Sequence, residues 1–286
     1  PHQELSCWAP CKDGFHEPDS FGAISGLDVN FGPPVSRSLQ RRVGAALATL
    51  RQVKLDASAM PDEPAASALY GSCYRLIGRL EAVSAELEAG VSVARAQELT
   101  DTVAAVEGEL GVIEVRHARL PMVKAVGKIG YAVCTESTMT KVRPDRPYTS
   151  TPADAIRISL ARNEYEGSQL VVVPIQQTLR DVEVSAGTLR MTAGFGERPT
   201  EETTAPEVDV KLVQYVNVKE RSGGAPLDPG LLPDPLVEPQ PVTVERTAVR
   251  SWFVTVHAQP EVLPGLYRGE IIVKPRNAEE TRLPLE

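Results

Sequence analysis

The sequence predicts an α+β chain of more than one domain, in which a three-helix antiparallel segment precedes an antiparallel, immunoglobulin-like β-sandwich. Apolar residues recur at the helical spacing of about 3.6 as far as Pro121, and at the strand spacing of about 2 from Lys124 onward. The 286 residues are 42% hydrophobic, which is enough for a packed core, and the length is typical of two domains. We therefore divide the chain into 1–35, 36–121 and 122–286.

The first segment, 1–35, is rich in Gly, Pro, Asp and aromatic residues and has no helical pattern. Positions 21–32 alternate apolar with small or polar residues, which favours one or two short strands. We predict an N-terminal arm that packs on the rest of the chain. The end of a lectin-like β module is the alternative.

The second segment, 36–121, is predicted to form three helices, each with one apolar stripe at spacings of three and four. Ser36 and Ser92 are the predicted N-caps of the first and third helices. Gly90 follows the second helix as a stop, and Pro121 is predicted to end the third. Because two short connections join the helices, we expect antiparallel neighbours that pack within the chain rather than on a partner helix. The stripes are Leu39, Val43, Leu47 and Leu50; Leu69, Cys73, Leu76, Leu80, Val83 and Leu87; and Leu99, Val103, Val106, Leu110 and Ile113.

The third segment, 122–286, is predicted to form about seven strands, because Val, Ile, Thr and Tyr are abundant in its apolar stretches. Turn residues such as Asp228-Pro229-Gly230 and Pro264-Gly265 separate the stretches, and no helical pattern lies between them. This combination favours a two-sheet sandwich over a parallel βαβ sheet. The predicted strands are 126–134, 155–161, 167–173, 181–185, 208–218, 248–258 and 267–273.

The four cysteines favour structural roles. Cys7 and Cys11 lack a second close pair of Cys or His, so we favour a local disulfide, in an oxidising compartment, over a metal site. Cys73 falls in a helical stripe and Cys134 in a strand pattern, where each is expected to be a small buried hydrophobe. We predict no metal site and no cofactor.

Composition excludes two classes of partner. The net charge of −8 argues against binding to a nucleic-acid backbone, which needs a basic face. No stretch of about 18 apolar residues is present, so no membrane span is predicted. No signal peptide is recognisable after Pro1, and both ends of the chain resemble cuts, so we expect a fragment of a longer protein.

No residue is assigned a catalytic, cofactor-binding or metal-binding role. Glu164 and Glu166 are the nearest approach to a glycosidase pair, but no pattern around them predicts the burial that an acid catalyst needs. Asp228 and Asp234 fall in a Pro-rich stretch where Asp forms turns. His257 and His117 accompany no recognised nucleophile motif.

Trp252 lies in the middle of an apolar strand pattern and is predicted to pack in the core rather than to bind sugar. The alternation places Val254 on the same face of the strand as Trp252, and Phe253 on the opposite face. Pro264 and Gly265 then suit the two central positions of a type II turn.

Several motifs, in a fixed order, resemble the N-terminal β-sandwich domain of bacterial glycoside hydrolase family 123, the β-N-acetylgalactosaminidase group. The resemblance covers about 124–286. It is carried by Arg162-Asn163-Glu164-Tyr165-Glu166, Gln169-Leu170-Val171, Tyr215-Val216, Pro233-Asp234-Pro235-Leu236, Trp252-Phe253-Val254-Thr255-Val256 and Pro264-Gly265-Leu266-Tyr267-Arg268-Gly269.

The resemblance implies that the parent protein is a secreted bacterial glycoside hydrolase of N-acetylhexosaminidase type. In such enzymes a (β/α)₈ barrel follows the sandwich and carries the catalytic Asp-Glu pair. This chain is then a non-catalytic accessory portion, inactive alone, whose partner is its own C-terminal barrel and whose location is extracellular or periplasmic. The alternative is a carbohydrate- or cell-surface-binding module that acts without a barrel and contacts glycans directly.

Overall fold

A computed structural model describes residues 33–127, 129–194, 204–219 and 229–286. The chain divides into two compact units: Pro1–Ile113, called the helical unit below, and Glu114–Glu286, called the sandwich unit. The described residues form three helices followed by ten strands. The helices are α1 (Pro33–Ser58), α2 (Pro64–Ala89) and α3 (Val93–Val126). The predicted N-terminal arm and its cysteines, Cys7 and Cys11, lie outside the described residues.

The predicted helical stripes are confirmed, since every one of their members is buried. Ser92 caps α3 as expected, with its hydroxyl accepting a hydrogen bond from the amide of Arg95 at 3.4 Å. Gly90 ends α2 with a φ of 86°, a conformation that favours glycine. Local capping chemistry therefore locates these two helix ends. The prediction for the first helix was wrong, because Ser36 is not an N-cap but lies inside α1, which begins at Pro33.

The third helix does not end at Pro121, as the sequence indicated, but continues to Val126 with the proline inside it. Proline in a helix removes one main-chain hydrogen bond and strains the preceding turn. Burial offsets that cost here, because Leu120, Met122 and Val126 are almost inaccessible to solvent.

The strands form two antiparallel sheets of five strands each. The first has the order β1-β2-β8-β5-β6; the second has the order β10-β9-β3-β7, with β4 also paired to β9. The strand bounds are β1 (Tyr131–Glu136), β2 (Tyr165–Pro174), β3 (Leu179–Ala186), β4 (Arg190–Gly194), β5 (Glu207–Val218), β6 (Gly230–Val237), β7 (Val242–Val244), β8 (Arg250–His257), β9 (Gly265–Lys274) and β10 (Thr281–Leu285).

One hydrophobic core lies between the two sheets. Leu170, Leu212 and Trp252 enter it from the first sheet, and Val184 and Ile271 from the second. Alternate residues of each strand thus point to a shared apolar interior, which is the arrangement of a sandwich. The predicted α+β class is confirmed, while the immunoglobulin-like assignment within it stays a prediction.

Two predicted strands differ from the observed ones. Residues 126–134 divide between the end of α3 and the beginning of β1. Residues 155–161 form no named strand; instead Ile156 and Ile158 hydrogen-bond to the end of β10, for example from the Ile156 amide to the Pro284 carbonyl at 2.8 Å. Four observed strands, β4, β6, β7 and β10, were not predicted.

The end of α3 covers part of the outer face of the first sheet. Met122 and Val126 pack there with Cys134 and Val171 in a second apolar cluster. The expectation that Cys73 and Cys134 are buried is confirmed, since both free thiols have an exposed fraction of 0%.

Arg119, in the same part of α3, is 4% exposed and fixes the helix to the sandwich main chain. Its guanidinium donates to the carbonyls of Pro174 at 2.7 Å, Ala248 at 3.1 Å and Arg246. Burial lowers its pKa to about 10, which leaves the side chain charged at pH 7.

Candidate functional site

The two longest motif stretches meet at one corner of the sandwich. The amide of Asn163 donates to the carbonyl of Ala258 at 2.6 Å, and the amide of Ala258 donates to the carbonyl of Glu164 at 3.1 Å. Asn163 has a φ of 62°, in the left-handed region that asparagine tolerates better than most residues. The turn before β2 is therefore joined to the end of β8.

The two motif carboxylates serve the main chain at this corner. Glu164 lies in the turn rather than in the strand, and its carboxylate accepts a hydrogen bond from the Ala161 amide at 2.5 Å. Glu166 lies in β2, and its carboxylate accepts from the Gly167 amide at 3.3 Å. Both side chains are exposed to solvent, so neither lies in a buried, apolar pocket.

Two aromatic residues of the second motif stretch are buried. Trp252 has an exposed fraction of 0%, which confirms that it packs inside the sandwich. Tyr267 is also buried, its hydroxyl donates to the Leu263 carbonyl at 2.9 Å, and burial raises its pKa. A Cβ atom at Gly265 would lie 2.6 Å from the carbonyl oxygen of Ala193, so only glycine fits where β4 meets β9.

A groove of about 500 Å³ runs along this corner. Its lining is mainly apolar, with Ile158, Leu160, Val262 and Leu266 among its members. Glu286 lies at its edge and is paired with the guanidinium of Arg268 at 3.2 Å. The groove therefore offers apolar surface rather than a pair of opposed carboxylates.

A stacked pair of rings, one exposed and one half-buried, lies on the outer face of the first sheet. Tyr165 of β2 is paired directly across from His257 of β8. Their rings are parallel within 3°, and their centroids are 3.8 Å apart. His257 is backed on its other side by Glu207 of β5, with 4.0 Å between Nδ1 and the carboxylate. The sequence did not predict this pair, because strand register, and not spacing, brings the two rings together.

The other candidate residues do not assemble into a site. Asp234 is exposed on β6, which lies at an edge of the first sheet, and His117 lies on α3. Asp228 is outside the described residues. Within the described ranges, no group of three or more His, Cys, Asp or Glu side chains is arranged to hold a metal ion. No helix in the same ranges is both long and apolar enough to cross a membrane.

Several solved structures resemble this chain distantly, and two of them are described here. No family model and no curated protein matches the chain. One solved structure is a family 123 glycoside hydrolase from Clostridium perfringens, analysed for glycolipid glycan hydrolysis, with 11% identity and a TM-score of 0.41 over 55% of this chain. This chain spans only 26% of that hydrolase.

The second solved structure is AvmM, which catalyses macrocyclization in alchivemycin A biosynthesis. It has 8% identity and a TM-score of 0.26, over 55% of this chain and 89% of AvmM. At TM-scores this low, neither likeness assigns an activity to the chain.

Proposed function

We propose that this chain is a non-catalytic accessory module of a secreted bacterial glycoside hydrolase, and that it supports a (β/α)₈ catalytic barrel of the same protein. The observation that carries the proposal is that key motif residues pack in the core or hydrogen-bond to the main chain. Trp252 fills the core, Tyr267 is tied to the main chain, and the Glu164 carboxylate accepts from a main-chain amide. Residues with these tasks maintain a fold and leave the chemistry to another part of the protein.

The carboxylates support the same conclusion. Glycoside hydrolysis needs two carboxyl groups about 5–9.5 Å apart, one of them with a raised pKa. Glu164 and Glu166 are both exposed, and each accepts a hydrogen bond from a nearby amide. Their contacts are with main-chain amides and not with each other, which suits support of the main chain better than a pair that cleaves a glycosidic bond.

A hydrolysis assay tests the proposal on the chain as it stands. The purified chain is incubated with the p-nitrophenyl β-glycosides of N-acetylgalactosamine and N-acetylglucosamine, and we expect the rate of the buffer alone. The matched control is the double variant Glu164→Gln, Glu166→Gln. Turnover by the unsubstituted chain that this variant loses would overturn the accessory role.

The barrel is tested in the source cells. An antibody raised against this chain should detect a polypeptide larger than the chain, and the antibody should remove N-acetylhexosaminidase activity from the secreted or periplasmic fraction. Detection only of a polypeptide of the chain's own size, with the activity left behind, would contradict the proposal.

A further inference from the structure

The stacked pair of Tyr165 and His257 lies where one edge of the first sheet is open. In the described chain, β1 pairs with β2 only from Gln169 to Pro174, so no strand lies beside Tyr165 on that side. The two parallel rings are stacked across the pairing of β2 with β8, so one face of Tyr165 is turned toward His257. The second face of Tyr165 therefore looks away from β8, toward the space that β1 does not reach.

That face of Tyr165 is accessible and held in place. The residue is 66% exposed although His257 covers one side of its ring. His257 itself lies between two paired strands, so the ring it supports has little freedom to turn. A ligand on the open face would meet a ring that is already oriented, which lowers the entropy cost of binding.

Polar groups border the open face along the β2 edge. The amide of Gly167 donates to the carboxylate of Glu166 at 3.3 Å, and the pairing of β1 with β2 stops at Gln169, so this carboxylate lies near the open edge. The methyl group of Thr138 lies near the bare Gly167, 3.3 Å from where a Cβ atom would be. The open face of Tyr165 is therefore near one hydrogen-bond acceptor, the Glu166 carboxylate, and Thr138 limits the space beside it.

These features select one kind of ligand. The ligand must have a flat face with C–H groups, because those carry the positive charge that an aromatic face attracts. It must have hydroxyl groups to donate to the Glu166 carboxylate, and no phosphate or sulfate, which that carboxylate and the net charge of −8 would repel. A compact cation is disfavoured, because cages for such ligands surround them with several aromatic walls and only one is open here.

We infer that this edge binds a pyranose ring of an uncharged glycan, stacked on the open face of Tyr165 with a hydroxyl donated to Glu166. This goes beyond the accessory role and does not depend on it. Binding here is a contact made by the sandwich itself and requires no bond cleavage.

The test uses ligand-observed saturation-transfer NMR on the whole chain. The probes are the methyl β-glycosides of glucose, galactose, N-acetylglucosamine and N-acetylgalactosamine, with lysine methyl ester as a cationic probe and adenosine monophosphate as an anionic one. We expect saturation of ring protons in at least one glycoside and none in the anion. If no glycoside receives saturation, or if only lysine methyl ester does, the inference fails.

Variants locate the binding. Tyr165→Ala should weaken the affinity for the bound glycoside at least about tenfold, whereas Tyr165→Phe should retain it because the ring remains. Tyr74→Ala is the matched control, since Tyr74 is 67% exposed but lies on α2 of the helical unit. Unchanged affinity in Tyr165→Ala would overturn the assignment.

A second measurement needs no variant and so does not depend on the folding of one. Titration of the glycoside into the unsubstituted chain should shift the amide signals of Glu166 and Gly167 and the ring signals of Tyr165. Shifts confined to other residues would contradict the site. Binding without hydrolysis leaves both proposals standing, and hydrolysis with binding would remove only the accessory role.

Discussion

The helical unit and the sandwich unit are stabilised in different ways. In the helical unit, apolar stripes meet along three helices, and exposed or half-exposed ion pairs join the helices, such as Arg42 with Glu107 and Arg95 with Glu86. In the sandwich, the partners are distant in sequence: β8 pairs with both β2 and β5. The sandwich unit also includes the end of α3, where the buried guanidinium of Arg119 donates hydrogen bonds to main-chain carbonyls.

The difference predicts how each unit responds to substitution. Exposed ion pairs contribute little individually, because water screens them and side-chain entropy opposes them. A large side chain shared by two sheets, or a buried cation with several acceptors, concentrates much more free energy in one residue. We therefore expect large single-residue effects in the sandwich and small ones from the polar residues of the helices.

The largest effect is expected from Trp252→Ala. Trp252 is wholly buried in the core that both sheets share, so its removal leaves a cavity. We expect a loss of about 3–5 kcal/mol in the free energy of unfolding, out of the roughly 5–15 kcal/mol of an ordinary domain. Urea unfolding followed by circular dichroism measures this loss. In Trp252→Ala the strand signal should disappear at a lower urea concentration than in the unsubstituted chain, while the helix signal should change little. Trp252→Phe, which fills most of the space, should lose less, and an unchanged midpoint in Trp252→Ala would contradict the shared core.

The next effect is expected from Arg119→Met. The substitution keeps much of the apolar stem but leaves the carbonyls of Pro174, Arg246 and Ala248 without this donor. We expect a loss of about 2–3 kcal/mol in the same urea experiment, because each buried acceptor loses a charged partner. The stability of Arg119→Lys should lie between that of Arg119→Met and that of the unsubstituted chain, since one ammonium group cannot reproduce the planar set of donors. Equal stability of Arg119→Met and the unsubstituted chain would show that the carbonyls do not need the cation.

The helices were predictable because the information that specifies them is local. Every predicted stripe residue, from Leu39 to Ile113, is buried, and Ser92 and Gly90 terminate helices as expected. Ser36 and Pro121 were the exceptions. α1 begins at Pro33, before Ser36, and the cost of Pro121 inside α3 is offset by the burial of its neighbours, which the helical period alone does not predict.

Two of the unpredicted strands show why alternation alone could not identify them. β7 has three residues, too few for alternation to be recognised, and β6 contains Pro233 and Pro235, which are tolerated at a sheet edge but resemble a loop in sequence. The position of β6 at the edge explains why both prolines fit.

The candidate site was harder to predict, because it depends on pairing. The sequence places Tyr165 and His257 ninety-two positions apart, and only the register of β2 on β8 stacks their rings. Arg119 likewise belongs to a helical pattern, and its acceptors come from distant main chain. Residue spacing contains no record of either contact, whereas it did indicate that Trp252 belongs to the core.

A small effect is expected from the ion pair between Arg42 and Glu107, which joins α1 to α3 with side chains about one third exposed. A double-mutant cycle with Arg42→Ala and Glu107→Ala should give a coupling free energy of about 0.3–1 kcal/mol in urea unfolding. The more exposed pair of Arg51 and Glu81 is the control and should couple less. A coupling free energy above about 2 kcal/mol would show that a single polar contact in the helical unit contributes as much as one in the sandwich unit, and the proposed difference between the units would be wrong.

The same pair predicts a pH dependence. Hydrogen bonding to Arg42 lowers the pKa of Glu107 from its ordinary value of 4.5. A carboxyl group with a lowered pKa in the folded state stabilises it above the ordinary value and loses that contribution as the pH falls through the lowered one. The coupling should thus be constant near neutral pH and decline below about 4.5. Coupling that persists well below that pH would contradict the ion pair as its source.

The finest comparison uses the two buried thiols, one in each unit. In a Cys7→Ser, Cys11→Ser background, Cys73 reports opening of the helices and Cys134 reports opening of the sandwich. Burial raises the pKa of Cys134 to about 12, and the pKa of Cys73 is raised as well, so neither should react with a disulfide reagent in the closed state. Labelling then follows local opening, and we expect Cys73 to react before Cys134, because Cys134 lies on a paired strand beneath Met122 and Val126.

Arg119→Met sharpens this last comparison, because Arg119 fixes the part of α3 that covers Cys134. Its loss should accelerate labelling of Cys134 and leave the rate at Cys73 unchanged, as measured by mass spectrometry of tryptic peptides over time. Equal acceleration at both thiols would mean that the two units open together. Acceleration at neither would mean that the apolar contacts of Met122 and Val126 hold the helix without the cation.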